Sequence, residues 1–532
     1  MIFDYIVAGG GAAGCLLANR LSRNPAHRVL LLEAGGPQDS IWFKIPVGYR
    51  HTIGNPKYDW CFNGAPEPGL HDRVLKHPRG KVLGGSTAIN GMVAIRGQAA
   101  DYDAWRDSGL SGWGWDDVLP FFKQHEDFYG GTNGLHAAGG EWRVDTPRVR
   151  WPVLDAVQAS VVEAGIAATQ DFNTGDNFGV GPIHVNQKNG CRWSAADAFL
   201  KPVRHRPNLV VQTQALVDHV LMEGRKATGV VWRQGGVSVS AQARKEVILA
   251  SGALGSPQIL MRSGIGPAAH LAGHGIAVVE DRPGVGANLQ DHLQIGMRYE
   301  ISHADTLNAH MHSNLAKARM AARFALTRHG PLTMAPCQLG LFARSSPSVQ
   351  RADLGYNVLA FSRANFQAEF DRFPGLTMIV YDLRPSSRGE LRLANKDAAA
   401  APSIRVNYLA TERDQTVAAN VIRLTRRIMG QAALARHLPR ERWAGALVPD
   451  SDERGLIDVA RATGVSIFHP VGTAKMGLPS DPMAVVDAEL KVIGIQNLRV
   501  IDASVMPALV SGNTATPTLM IAEKGAAFIG QA

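Results

Sequence analysis

Apolar runs and glycine turns alternate most sharply at the start of the chain. Tyr5-Ile6-Val7-Ala8 is an unbroken apolar run ending at Gly9, and Val29-Leu30-Leu31-Leu32 is a second. Between them Leu16, Leu17, Ala18 and Leu21 recur at helical spacing. Short apolar runs bounded by turn residues predict strands buried on both faces, and the intervening period predicts a helix packed on them. Strand, glycine turn, helix and strand make a βαβ unit, which implies a parallel sheet with helices on both faces.

Further along, the pattern is patchier. Residues 36–150 are rich in Gly, Pro and Trp with little periodicity. Irregular chain of that length in a compact enzyme is usually functional. Strands are predicted over Asn208 to Thr213 and Glu246 to Ala250, the second ending in a strand-to-helix turn at Ser251-Gly252-Ala253. From about 300 to 464 the character changes. Helical stretches (Asn314 to Arg328, Val417 to Met429) mix with strands such as Leu376 to Tyr381, and the tail returns to a strand at Leu498 to Asp502 and a helix at Thr518 to Phe528. The expected architecture is therefore α/β. A Rossmann-like nucleotide domain (1–150, 190–300 and 465–532) is interrupted by an α+β domain with an antiparallel sheet (151–189 and 301–464).

Composition narrows the class. At 532 residues, 45% hydrophobic and 19% charged, the chain reads as a folded protein of two lobes. No apolar run is long enough for a membrane span, and no basic leader with a cleavage site opens the sequence, so cytoplasmic residence is the expectation. Four scattered cysteines, Cys15, Cys61, Cys191 and Cys337, offer neither a zinc cluster nor a disulfide framework, and free, mostly buried thiols are expected. The net charge of +9 would suit nucleic acid, anionic lipid or an anionic cofactor. The basic residues are dispersed and no nucleic-acid motif accompanies them, so nucleic acid is set aside.

Gly9-Gly10-Gly11-Ala12-Ala13-Gly14 has G-x-G-x-x-G spacing between strand and helix. Gly9 permits the tight turn, Gly11 lets the backbone approach a pyrophosphate, and Gly14 lets the helix pack on the strand. Glu33 ends the second strand, where a carboxylate accepts from ribose hydroxyls and repels a 2′-phosphate. These residues predict a dinucleotide site; FAD and NAD stay open on this evidence.

Two longer blocks carry a resemblance. The run from Arg79 to Val93 and the run from Gly252 to Gly266 resemble the two signatures of the glucose–methanol–choline oxidoreductases, in family order. Pro283 to His292 and the C-terminal blocks look familial as well, so the likeness covers essentially the whole chain. It is strongest to bacterial choline-dehydrogenase-like alcohol dehydrogenases, including the aliphatic alcohol and polyethylene glycol dehydrogenases. The resemblance implies FAD as cofactor. Val217 would hold the adenine through its backbone, Asp502 and Ala503 would approach the pyrophosphate or ribityl chain, and Ser86, Asn90 and Val93 would line the isoalloxazine. It extends cofactor contact to Ala12, Ala13, Ala34, Arg79, Val82, Gly84, Gly85, Gly91, Met92, Ser251, Gly252, Asn513, Thr514 and Thr516. Some relatives carry a flavin-linked histidine in the first signature. Ile89 stands there in this chain, which implies dissociable FAD.

The resemblance also implies the catalytic pair, His469 in Phe468-His469-Pro470 and Asn513 in Ser511-Gly512-Asn513-Thr514. A neutral imidazole has the basicity to take an alcohol's proton near neutral pH. Asn513 cannot take one, but its amide can hold the hydroxyl or the alkoxide. The implied activity is oxidation of an alcohol, by likeness a primary one, to the aldehyde, with a quinone-type or other non-NAD acceptor. An oxidase reducing O2 to peroxide and a lyase with structural FAD are the rivals, and the oligomeric state is not legible.

Other features are weaker. His310 and His312 form an H-x-H without an evident third ligand, so no metal is expected. Arg384 to Gly389 reads as a structural block. The stretch from Asn314 to Arg328 mixes Leu315, Met320, Phe324 and Leu326 with Lys317, Arg319, Arg323 and Arg328, a pattern compatible with peripheral contact to the inner face of a cytoplasmic membrane as well as with an ordinary solvated helix.

Overall fold

A computed structural model describes residues 1–531. Strand β1 (Ile2–Ala8), helix α1 (Ala12–Leu21) and strand β2 (Val29–Leu32) form the opening unit, with β1 and β2 parallel from Tyr5 opposite Val29 to Ala8 opposite Leu32. Leu209–Gln212 extends the sheet beyond β2, Val237–Leu249 lies on the other side of β1, and Leu498–Val500 follows, all parallel. β1 from Phe3 onward and all of β2 are buried, as expected of strands covered on both faces. These strands end in Gly9, Glu33, Ser251-Gly252 and Asp502. The crevice outside the carboxyl ends of a parallel sheet is where such folds bind ligands.

The parallel sheet also carries an antiparallel edge that the sequence pattern did not reveal. The first half of Val237–Leu249 pairs with Lys226–Gln234, which pairs with Leu216–Glu223. Its alternate positions are exposed there, whereas its last three residues are buried. One strand thus passes from a half-solvated ribbon into the fully covered core.

A second sheet is antiparallel throughout. Its order is Arg440–Glu441, Leu293–Glu300, Gly375–Asp382, Leu354–Leu359, Leu339–Ala343 and Gly179–Pro182. Helix Glu412–Met429 packs on it, capped by the Thr411 hydroxyl, which accepts from the Asp414 amide. Leu293–Glu300 belongs to this sheet and pairs at its start with Val465–Ser466. That pairing proposes a changeover between the lobes near residue 292 rather than 300, in a seam where the two lobes share strands.

Besides a single turn at Tyr49–Thr52, the segment 36–150 contains the helices Ala99–Asp107 and Trp115–Gln124, hidden by their shortness and by Pro120 inside the second. Tyr102, Trp105, Trp113 and Phe122 bury there as one aromatic cluster. Helix Asn314–Thr327 forms as expected. It buries Met320 and Phe324 against the protein and leaves Leu315 and Leu326 exposed among its basic residues. No helix among the described residues is long and apolar enough to cross a membrane.

Candidate active site

A cavity of about 390 Å3 runs from the glycine turn after β1 to the wall of the second sheet. At its nucleotide end the three fingerprint glycines divide their work. Gly9 has φ +113°, and a Cβ there would lie 2.5 Å from the Ala250 carbonyl oxygen. A Cβ on Gly14 would lie 1.8 Å from the Gly9 oxygen, so helix and turn touch backbone to backbone. At Gly11 the nearest atom would be 3.9 Å away, which leaves an open cradle at the N-terminus of α1. A pyrophosphate needs that combination of free amides, space and helix dipole.

Glu33 is buried beside this cradle. One carboxylate oxygen accepts from the Gly10 amide at 2.9 Å and the other from the Gly35 amide at 2.7 Å. Burial pushes its pKa up to about 7, against the pull of those two amides. Each oxygen keeps acceptor capacity for a ribose hydroxyl. Asp502 accepts from the Gly252 amide, the Ser256 hydroxyl and the Ser504 amide and hydroxyl, and so ties the turns after two neighbouring strands together.

Of the residues named from sequence, the cavity brings together Gly9, Gly11, Ala12, Ala13, Glu33, Ala34, Arg79, Gly85, Ser86, Asn90, Gly91, Met92, Val93, Val217, Ser251, Gly252, His469, Asp502, Ala503, Asn513 and Thr514. Four stand outside its wall. Gly14 packs on Gly9, as above. Val82 is buried against Phe43 and Tyr58, and Gly84 donates to the Gly10 carbonyl with φ +90°. Thr516 is buried in the last helix. Ile89 does line the cavity.

The catalytic candidates meet where the lobes share strands. Asn513 Nδ2 lies 2.9 Å from His469 Nε2. On the other side of the ring, His469 Nδ1 faces His292 Nδ1 at 3.0 Å, and His292 Nε2 faces the Leu383 carbonyl at 3.0 Å. A carbonyl only accepts, so His292 carries its proton on Nε2. Burial holds His292 near a pKa of about 4, so its Nδ1 is a bare acceptor. His469 must then donate from Nδ1, and its Nε2 keeps a free lone pair that the Asn513 amide approaches as donor. His469 itself is held well below the ordinary histidine range by burial, then by His292 and by Arg79. The carbonyl of Leu383 thus fixes the proton on a ring two steps away.

Asp291 fixes the backbones. The same carboxylate oxygen accepts from the His292 amide at 2.9 Å and the His469 amide at 2.7 Å, while the other takes the hydroxyls of Tyr408 and Ser466. Phe468, just before the histidine, sits in the left-handed region at φ +71°, as does Met92 at φ +62° across the cavity. Left-handed backbone in bulky residues costs about 1–2 kcal/mol each and clusters at functional sites. Sequence reasoning named neither His292 nor Asp291 as functional, although both lie in a block it singled out.

The H-x-H pair is divided between separate partners: His310 faces Asp305 and His312 faces the Asp371 carbonyl. No group of three potential metal ligands is gathered among the described residues. Cys15 and Cys337 are buried, Cys191 is partly buried and Cys61 is exposed, all free thiols.

A fingerprint-bearing parallel sheet and a cavity that reaches from it to a buried histidine pair beside a second sheet fit a dinucleotide-binding enzyme. Two family models described as GMC oxidoreductase match residues 3–294 and 385–522. The chain is 38% identical over 526 residues to the oxygen-dependent choline dehydrogenase of Brucella suis biovar 1 (strain 1330), covering 99% of this chain and 95% of that one. It is 39% identical to the mitochondrial choline dehydrogenase of Mus musculus, covering 99% and 89%. Among solved structures, pyridoxine 4-oxidase from Mesorbium loti superposes with a TM-score of 0.89 at 30% identity, covering 100% and 99% of the two chains. The chain belongs to the GMC oxidoreductase family. It is an FAD-dependent oxidoreductase acting on CH–OH donors.

Proposed function

We propose that this enzyme oxidises a primary alcohol to the aldehyde with His469 as general base. The observation that carries the reading is the hydrogen-bond chain from His469 through His292 to the Leu383 carbonyl. It leaves Nε2 of a neutral imidazole unprotonated at the cavity wall, its lone pair met by the Asn513 amide until a substrate hydroxyl takes that place. That atom would take the hydroxyl proton, a role for which positioned histidines contribute about 10²–10⁴-fold. The Asn513 amide would hold the substrate oxygen. Its Oδ1 is buried without a partner, which leaves the amide an open acceptor beside the base.

The cavity's nucleotide end fits FAD: Gly9, Gly11 and the N-terminus of α1 for the pyrophosphate, Glu33 for the ribose, Val217 for the adenine, and Ser86, Asn90 and Val93 for the ring. Bound there, FAD supplies the acceptor for the hydride of the carbinol C–H. Ile89 offers no nucleophile at the family's linking position, so the cofactor is dissociable. Removing the O–H proton at Nε2 as hydride leaves keeps charge from building on the carbinol carbon, and the dry wall strengthens each hydrogen bond.

Re-oxidation by a quinone-type acceptor is the reading taken from the dehydrogenase relatives. Reduction of O2 is the second, favoured by the oxygen-dependent and oxidase names among them. Peripheral membrane contact through helix Asn314–Thr327 would accompany the quinone reading. The test is anaerobic: the yellow holoenzyme is mixed with a panel of alcohols and its absorbance followed. Bleaching by primary alcohols supports the proposal, and a flavin that stays oxidised across the panel overturns it. Peroxide yield under air against turnover with an artificial quinone then separates the two acceptors.

A further inference from the structure

The substrate end of the cavity holds a cation with no acid to match it. Arg363 lines the cavity just beyond strand Leu354–Leu359, half-buried, with its guanidinium carbon 4.8 Å from the ring centre of Phe366, 5.7 Å from that of Phe361 and 5.8 Å from that of Phe370. Its hydrogen bond to the protein runs from Nη1 to the Phe366 carbonyl at 2.6 Å. Among the described residues no carboxylate pairs with it; the charge that faces it is Arg50, and the nearby Tyr49 phenol is held neutral by burial. Arg50 lies over the same Phe370 ring at 4.7 Å and is likewise without a carboxylate. Asp371, the nearest acid after Phe370 in the chain, is taken by Arg298, and Glu369 points to solvent.

The cavity's own carboxylates do not help. Glu33 and Asp502 are its acidic lining residues, and both are held by backbone amides at the nucleotide end. Two half-buried guanidiniums sharing one ring, with unused N–H donors, repel each other and have lost hydration. An anion in the cavity beside Arg363 would relieve the cost there. The planar fork of an arginine matches a carboxylate or phosphate, and such charge-assisted bonds are the strong ones.

The geometry therefore points to an alcohol that carries an anionic group, which pairs with Arg363 while the carbinol meets His469. This inference rests on the activity proposed above. The sheet sets the spacing. Gly355 stands opposite Tyr381, whose ring centre is 6.3 Å from that of His469, and Leu359 lies about 13 Å further along the same strand. Arg363 follows beyond it, so several bonds separate the two ends of the substrate. A cationic alcohol would meet like charge there, where the Phe361, Phe366 and Phe370 rings are already covered by Arg363.

The test uses the holoenzyme and steady-state oxidation of a series of ω-hydroxycarboxylates and ω-hydroxyalkyl phosphates, each set against the neutral diol of the same chain length, with choline as the cationic arm. At low salt the expected result is a kcat/KM for one anionic series at least about tenfold above the diol, with choline poorest. Arg363→Gln should lower that value about 10- to 100-fold and leave the diol within about twofold, and Arg363→Lys should keep part of the preference. Which series is favoured separates carboxylate from phosphate. A diol oxidised as well as every anion overturns the inference while the alcohol-oxidising activity stands, whereas failure of every alcohol to reduce the flavin strikes the activity itself. Should the Gln variant not retain FAD, competition decides. An alkanoate must inhibit diol oxidation by the native enzyme more strongly than the alkane of equal length bearing a methyl ester, and equal inhibition overturns the proposal.

Discussion

His292 and His469 face each other Nδ1 to Nδ1 at 3.0 Å, and their backbone amides donate to one oxygen of Asp291. Two imidazoles in that arrangement can share only one proton between the facing nitrogens. The Leu383 carbonyl decides which ring supplies it, and so leaves the other nitrogen of His469, the proposed base, as an acceptor.

Replacing His292 by Phe keeps a buried ring but removes the acceptor. We expect the variant to bind FAD, with kcat/KM lowered about 10- to 100-fold because His469 loses its fixed tautomer. Combined with His469→Ala, it should cost little beyond that single change, since groups that act as a unit are non-additive. Additive losses would show that His292 acts elsewhere.

Both histidines titrate below their ordinary value of 6.5, His292 at about 4. The acidic limb of kcat/KM should therefore fall well below pH 6.5, with no loss on going from pH 8 to pH 7. The stability sign follows. The unfolded chain binds more protons between the two values, so the pair's contribution is complete above about pH 6.5 and is lost as pH falls toward 4. Chemical denaturation of the holoenzyme across that range measures it.

His136 has the opposite sign. It bridges Glu126 at 3.0 Å and Asp171 at 2.8 Å in the buried cluster with Arg96. Burial opposes its charge, but the hydrogen bonds to the two acids outweigh that and raise its pKa. Its contribution is fully present below pH 6.5 and is lost as pH rises through the raised folded value. His136→Gln should cost about 1–3 kcal/mol near pH 6 and progressively less in alkali, read as the difference between denaturation midpoints.

The fingerprint glycines separate folding from cofactor binding. Gly14→Ala drives a Cβ into the Gly9 carbonyl at 1.8 Å and should destabilise the apoprotein by several kcal/mol. Gly11→Ala meets nothing nearer than 3.9 Å, so the apoprotein should keep its stability while FAD affinity falls at least about tenfold. Thermal melts with and without FAD distinguish the two.

How much of this the sequence shows depends on how local the cause is. The β1–α1–β2 unit was legible because its period and its turn glycines lie within one short stretch. His469 and Asn513 were legible through their motif blocks. The role of His292 was not, because it arises from pairing Leu293 with Ser466, far apart in the chain. The hairpin from Leu216 to Gln234 escaped because half its positions are solvated, which blurs the apolar runs a covered strand shows. Arg363 was invisible because what marks it is the absence of an acid around it, a property of packing.

The most direct measurement is the anaerobic flavin-reduction rate constant, taken by rapid mixing of one good alcohol with the native enzyme and with His469→Ala. The account expects both proteins to be yellow and the variant to be slower by about 10²–10⁴-fold at neutral pH, with part of the rate returning as pH is raised and the alcohol ionises unaided. A variant that holds its FAD and is reduced as fast as the native enzyme would contradict it.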